Sequence, residues 1–271
     1  MTTSESRETL ESSTVVAPHP RLSVNSLSSL YQSLDDDITM WRDLGVDHVG
    51  LISPKLEAAG WDASRRMLAE ANLHVSNLAI EVRAIEESVE FAADVGAKAL
   101  YLCSGGAASL TWDEAVGRFC DEVAPYIPRA RELGVSLAVE PTNPLRADIS
   151  FVFTLRDALD LARAAGIRVV LDFYSCWYER GLREVVRDNV DMVALVQVCD
   201  YAVGTFDTPN RVVPGDGDMP LERLVATMLE AGYDGAFDLE IIGPRIESEG
   251  YRSAVRRGVD RMSAILRSVG A

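Results

Sequence analysis

Short apolar runs alternate with longer amphipathic segments along most of this chain. Continuous apolar runs are typical of strands buried on both faces, whereas apolar residues spaced by three and four indicate helices. The pattern predicts strands at 22–26, 47–52, 74–80, 98–103, 135–140, 168–172, 193–199 and 236–241. It predicts helices at about 34–44, 62–72, 85–95, 111–133, 154–165, 181–189, 220–231 and 250–268.

Residues that begin and end helices stand at several of these boundaries. Thr111 and Glu114 form a capping-box pattern, and Asp62 is a candidate N-cap. We expect Pro125 and Pro128 to break or kink the long helical segment.

The order of the elements favours one fold. Strand and helix alternate in eight units of roughly 30 residues, the length of a βαβ step. No GxGxxG or P-loop fingerprint follows the first strand, which weakens the case for a doubly wound sheet. The sequence therefore predicts a single (β/α)8 TIM barrel at 19–271, preceded by a polar extension at 1–18 that we expect to be disordered.

Four predicted strands end in oxygen-bearing side chains. These are Glu140, Asp172, Gln197 and Glu240. The carboxyl ends of barrel strands meet over one mouth, so three carboxylates would repel one another unless a cation neutralised them. An all-oxygen set suits Mn²⁺ or Mg²⁺ better than Zn²⁺. The alternative is that each acid only caps a neighbouring helix or pairs with an arginine.

The second half of the chain carries a resemblance to a known family. From about residue 135 it resembles the sugar phosphate isomerase/epimerase family, the xylose-isomerase-like barrels. The similarity lies in Leu-Ala-Val-Glu-Pro-Thr-Asn-Pro at 137–144, Val-Leu-Asp-Phe-Tyr-Ser-Cys-Trp at 170–177, Val-Gln-Val-Cys-Asp at 196–200, Arg-Val-Val-Pro-Gly-Asp-Gly-Asp-Met-Pro-Leu at 211–221 and Ala-Gly-Tyr-Asp-Gly-Ala-Phe-Asp-Leu-Glu at 231–240.

The resemblance implies roles for particular residues. The four strand-end residues would bind one divalent metal, and Glu140 and Glu240 would also form the acid/base pair. Arg211 would contact substrate oxygens. Two positions depart from the family, which usually has histidine where this chain has Gln197 and Ser175. The histidine at the second of these positions usually touches substrate, so the resemblance makes Ser175 a candidate substrate contact. Trp177 would either wall the substrate pocket or pack between loops.

The function implied is a metal-dependent isomerase or epimerase that acts through an enediolate. Its substrate would be a sugar, a cyclitol or a related polyhydroxy-ketone, without phosphate because no phosphate cradle is present. One alternative is a dehydratase or lyase that uses the same site. Another is a non-catalytic partner subunit, which the two missing histidines suggest.

Composition narrows the partners further. The net charge of −16 argues against nucleic acid or an anionic membrane surface as a partner, and no apolar run reaches the length of a membrane span. The four cysteines form no CxxC pair, which predicts free thiols and a cytoplasmic location. Histidines are scarce, and His48 and His74 precede strands, far from the acids, so a histidine triad is not expected. The oligomeric state stays open, a homo-oligomer included.

Overall fold

Eight parallel strands close into a barrel in the order of the chain. The computed structural model describes residues 17–271, so the predicted extension lies outside the described residues except for Ala17 and Pro18. Each strand pairs with the next, and the first pairs with the last. The predicted (β/α)8 barrel is thereby confirmed. The strands are β1 Leu22–Asn25, β2 His48–Ile52, β3 His74–Ala79, β4 Ala99–Cys103, β5 Ser136–Glu140, β6 Arg168–Asp172, β7 Val193–Val198 and β8 Phe237–Leu239.

Helices connect the strands on the outside of the barrel. They are α1 Leu34–Leu44, α2 Ser53–Ala59, α3 Trp61–Glu70, α4 Ile85–Asp94, α5 Trp112–Val123, α6 Ile127–Glu132, α7 Leu155–Ala165, α8 Phe173–Cys176, α9 Leu182–Asn189, α10 Leu221–Glu230, α11 Pro244–Glu249 and α12 Tyr251–Ser268. None of the helices in this described part of the chain is long and apolar enough to cross a membrane.

The helix ends show which sequence signals were correct. Thr111 caps α5 through a complete capping box with Glu114, as predicted. Asp62 is not an N-cap: Gly60, with a φ of +85°, precedes α3, and Asp62 lies in its first turn. The single helix predicted over 111–133 is divided into α5 and α6, because Pro125 and Pro128 lack the N–H groups that would continue the helix.

The barrel interior is divided into an apolar part and a polar part. Small and apolar side chains from β4, β5, β6 and β7 pack together: Ala99, Tyr101, Ala138, Val170 and Leu195. Fully buried polar side chains from β1, β3 and β8 occupy the other side: Ser23, Asn25, Asn77 and Asp238. Unlike an apolar filling, this polar side needs internal hydrogen bonds, and those bonds lead up to the mouth of the barrel.

Candidate active site

The four strand-end residues lie together at the mouth of the barrel. Glu140 and Asp172 are the last residues of β5 and β6, Gln197 lies in β7, and Glu240 follows β8 directly. Asp172 and Gln197 are register partners on neighbouring strands. All four are at least nine-tenths buried, with Glu140 the most exposed at 8%. The structure thus places these four side chains at one end of the barrel, as the strand pattern predicts.

Arg211 lies in the centre of this acid cluster, which we define as Glu140, Asp172 and Glu240. Its Nη2 atom is 2.9 Å from Glu240 Oε1, 3.1 Å from Asp172 Oδ2 and 4.0 Å from Glu140 Oε1. The guanidinium also makes a two-pronged contact with Asp172, because Nη1 donates to Oδ1 at 3.1 Å. One cation therefore contacts or approaches all three carboxylates.

A long loop brings Arg211 to this position. Asp200, just after β7, accepts hydrogen bonds from the backbone N–H groups of Tyr201, Gly215, Gly217 and Met219. A bridge between Asp200 and Val212 fixes the return of the loop beside β7. Asp200 thus orders the loop, and the ordered loop places Arg211 among the carboxylates.

Asp172 caps a helix and pairs with an arginine, which is the alternative role considered above for a strand-end acid. Its carboxylate caps α8 by accepting from the Tyr174 N–H at 3.0 Å, and it accepts from the Ser175 hydroxyl at 3.1 Å. Together with its two contacts to Arg211, the Asp172 carboxylate accepts four hydrogen bonds in this conformation. Ser175 is buried and turned towards Asp172, so its immediate role here is to hold that carboxylate.

Tyr101 is a member of the site that the sequence reasoning missed. Gln197 Nε2 donates to the Tyr101 hydroxyl at 2.9 Å and also to Glu240 Oε2. The Tyr101 hydroxyl itself lies 3.4 Å from Glu240 Oε2. The strand pattern could have identified Tyr101. Cys103 pairs in register with Glu140, so both side chains point to the same face of the sheet, and Tyr101 lies two residues before Cys103 on that face.

A fourth buried carboxylate, that of Asp238, lies on β8 below Glu240. Asp238 precedes it by two residues on the same face of β8, a spacing that alternation could also have identified. Asn25 Nδ2 donates to Asp238 Oδ2 at 2.8 Å and contacts the Tyr101 hydroxyl at 3.3 Å. A continuous chain of polar contacts therefore runs from Asp238 through Asn25 and Tyr101 to Glu240.

Burial and mutual repulsion shift the acids in one direction. Burial, and then the charges of Glu240 and Asp172, raise the pKa of Glu140 well above its ordinary value. Burial raises the pKa of Glu240 to about 7 against the opposing effect of Arg211, and it raises that of Asp238 to about 6. Glu140 and Glu240 therefore hold their protons to a higher pH than exposed glutamates do.

The donor set has the chemistry of a divalent-cation site. Three carboxylates and an amide are hard oxygen donors, and Gln197 Oε1 is buried without a hydrogen-bond partner among the described residues. In the described conformation, however, no group of three or more His, Cys, Asp or Glu side chains within 17–271 is arranged to hold a metal ion. The carboxylates are instead drawn to Arg211, which occupies the space between them.

The remaining predicted residues lie elsewhere. Trp177 packs edge-on against Tyr178 and borders a cavity of about 280 Å³ between α9 and α10. His48 and His74 begin β2 and β3, at the opposite end of the barrel, as expected. All four cysteines are free: Cys103, Cys120, Cys176 and Cys199.

Comparison with known proteins identifies the family. The sequence model described as "xylose isomerase-like TIM barrel" matches residues 38–262, well over half of the chain. The chain belongs to this family. Members of the family include sugar epimerases and isomerases.

Individual relatives are distant. Fructoselysine 3-epimerase of Shigella flexneri is 22% identical over 187 residues, which cover 67% of this chain and 65% of the relative. A protein structure from Sinorhizobium meliloti 1021 superposes with a TM-score of 0.81 at 25% identity, covering 92% of this chain and 98% of that one. D-psicose 3-epimerase of Clostridium cellulolyticum H10, solved with D-tagatose, gives a TM-score of 0.69 at 12% identity over 92% and 98% of the two chains.

Proposed function

We propose that this protein is a divalent-metal-dependent isomerase or epimerase of a sugar, cyclitol or related polyhydroxy-ketone. The observation that carries the proposal is the convergence of Glu140 and Glu240 on one buried mouth, with Arg211 between them. Two carboxyl groups with raised pKa can exchange a proton with a carbon next to a carbonyl. Family membership supports the same class of reaction.

The residues of the site have separate roles in the proposed reaction. Glu140 accepts no hydrogen bond from the described residues, so its carboxyl group is the freer of the two to turn towards the substrate. Glu240 is held by Gln197 and Arg211. One carboxyl group of this pair removes the proton from the substrate carbon, and the other returns a proton to the enediolate. Arg211 and the Tyr101 hydroxyl supply donors for the developing negative charge on oxygen. Loss of a β-hydroxyl from the same enediolate would make the enzyme a lyase.

A metal would be held by Glu140, Asp172, Glu240 and the oxygen of Gln197. Mn²⁺ or Mg²⁺ bound there would polarise the substrate carbonyl and hydroxyl. Because Nη2 of Arg211 lies among these oxygens, we propose that Arg211 leaves at least Glu240 when metal is bound and turns to the substrate oxygens.

The test is a set of incubations of keto-sugars in D₂O with and without Mn²⁺, followed by proton and carbon NMR. Isomerisation or epimerisation gives a sugar product that carries deuterium next to the carbonyl and has lost no water. A lyase releases water and gives an unsaturated or deoxy product. A non-catalytic partner subunit gives neither product, and metal analysis after offering Mn²⁺ then finds less than one ion per chain.

A further inference from the structure

A cavity of about 570 Å³ lies at the ends of β1, β2 and β3. Strand alternation locates it. Asn25 of β1 contacts Tyr101 of β4, which is possible only through the barrel interior, and Asn77 of β3 lies against Asn25 across Gly50. Two residues further along β3, Ala79 points inward again and lines the cavity. The cavity therefore shares the barrel mouth with the carboxylates.

Tyr101 forms the connection between the two regions. Ala79 is its register partner and packs against the small interior cluster that contains its ring. The hydroxyl of the same ring contacts Gln197 and approaches Glu240. Tyr101 is therefore in contact both with the cavity wall, through Ala79, and with the acid cluster, through its hydroxyl.

The lining of the cavity does not suit a bare polyol. Most of its residues are apolar, among them Leu27, Ile52, Ala58, Met67, Ala79 and Ile80. Hydroxyl groups placed against this lining would lose hydrogen bonds to water without replacement. The ammonium group of Lys55 is bound to Asp37 and to the Ser29 carbonyl, and the remaining charged residues at the cavity are Asp35 and Glu81. An anionic group is therefore disfavoured as well.

The loops around the mouth add an independent observation. In the described part of the chain, the large apolar side chains with substantial exposure all follow a strand and precede its helix, or begin that helix. This is the face on which the barrel mouth opens. Phe206 is 85% exposed and Tyr31 is 75% exposed. The full set is Tyr31, Trp112, Leu145, Tyr178, Val203 and Phe206. All six therefore lie at the same end of the barrel as the cavity.

We propose that the substrate is amphiphilic: a keto-polyol with an uncharged apolar substituent, such as an acyl or aryl group, that occupies this cavity. The inference rests on the proposed function, because it assigns the tail of the same substrate. A cavity of this volume is in the usual range for a ligand much larger than a free sugar. The polyol end would lie on the acid cluster and the apolar end between the ends of β1, β2 and β3.

Binding of a homologous series tests the proposal without requiring turnover. The probes are D-fructose and its 6-O-butanoyl, hexanoyl and octanoyl esters, titrated by calorimetry below their micelle concentrations. Each methylene buried in the cavity should increase affinity by about four-fold, the equivalent of about 0.8 kcal/mol. Ala58→Trp places a large ring at the cavity wall and should flatten this dependence on chain length. Ala69→Trp, at an exposed position of α3 away from the cavity, is the matched control and should retain it.

Two results would overturn the proposal. One is an affinity for the esters that does not change with the length of the acyl group. That result is expected if a second copy of the protein covers the barrel mouth. The other is a steep dependence that Ala58→Trp leaves intact, which would put the tail elsewhere on the apolar loops. Failure of the proposed reaction is a separate result, in which no deuterium enters any keto-sugar. In that case, an affinity that rises with acyl length, and that loses this dependence in Ala58→Trp, would still assign the cavity to an apolar ligand group.

Discussion

Among the described residues, Arg211 is the only cation that contacts the acid cluster, and replacing it with methionine removes that charge. Methionine keeps an apolar stem of similar length but no charge. The side chain of Arg211 is 9% exposed, and those of Asp172 and Glu240 are 0% and 4% exposed. Removing one partner from a buried ion pair costs about 3–5 kcal/mol, because the other charge stays buried without compensation. At about 2–4 °C per kcal/mol for a domain of this size, the melting temperature should fall by roughly 6–20 °C.

Proton uptake gives this prediction a pH dependence. The pKa of Glu240 is raised in the folded protein to about 7, above that of the unfolded chain. A raised folded pKa contributes stability that is present at low pH and lost as pH rises through the folded value. Without Arg211 the pKa of Glu240 rises further. The loss of stability in Arg211→Met, relative to the unsubstituted protein, should therefore be small near pH 6 and larger near pH 8.

Metal addition supplies the decisive comparison. If Arg211 and a divalent ion compete for the same carboxylates, Mn²⁺ should raise the melting temperature of Arg211→Met more than that of the unsubstituted protein. Saturation at a hundred times the dissociation constant would restore about 2.7 kcal/mol. Arg183→Met is the matched control, because that arginine is 72% exposed in its pair with Glu230. An Arg211→Met protein as stable at pH 8 as the control, or equal Mn²⁺ shifts in both, would refute the reasoning.

Three further predictions concern buried polar groups. Tyr101→Phe removes one of the two acceptors of the Gln197 amide and should lower the unfolding free energy by about 1–3 kcal/mol in urea titrations; an unchanged unfolding free energy would show that the Tyr101 hydroxyl does not stabilise the site. Lys55→Met and Asp37→Asn should each destabilise the protein by about 3–5 kcal/mol, while the double variant recovers much of the loss; additive effects in the double-mutant cycle would contradict a coupled pair. Thr111→Ala should cost about 1 kcal/mol through loss of the α5 cap, with thermal unfolding as the measurement.

Much of the barrel could be predicted because its signals are local. A short apolar run between helical segments identifies each strand without knowledge of its partners, and parallel strands in series leave few ways to close. The convergence of Glu140, Asp172, Gln197 and Glu240 followed directly, since the carboxyl ends of barrel strands share one mouth. The short helices α2, α8 and α11 were missed, because each is shorter than the window over which helical periodicity can be recognised.

The centre of the site could not be predicted in the same way. Arg211 reaches the acids because Asp200 accepts hydrogen bonds from four backbone N–H groups of the loop and fixes its path. The sequence alone does not show which part of the barrel such a loop contacts. The local motif therefore indicated an arginine for substrate, whereas the structure also shows it as the counter-ion of the carboxylates. Tyr101 and Asp238 were missed for another reason: within apolar strands, one polar residue is informative only when its face is known.

Proton transfer by Glu140 and Glu240 is the central claim, and deuterium entry from D₂O measures it most directly. The measurement compares the unsubstituted protein with Glu140→Gln and Glu240→Gln, using Glu87→Gln at an exposed position of α4 as the control. With Mn²⁺ and an accepted keto-sugar, the unsubstituted protein and the control should place deuterium on the carbon next to the carbonyl. Either site variant should slow this entry by about 10²–10⁴-fold, the usual contribution of a positioned acid or base. Deuterium entry in Glu140→Gln at the rate of the control would contradict the account.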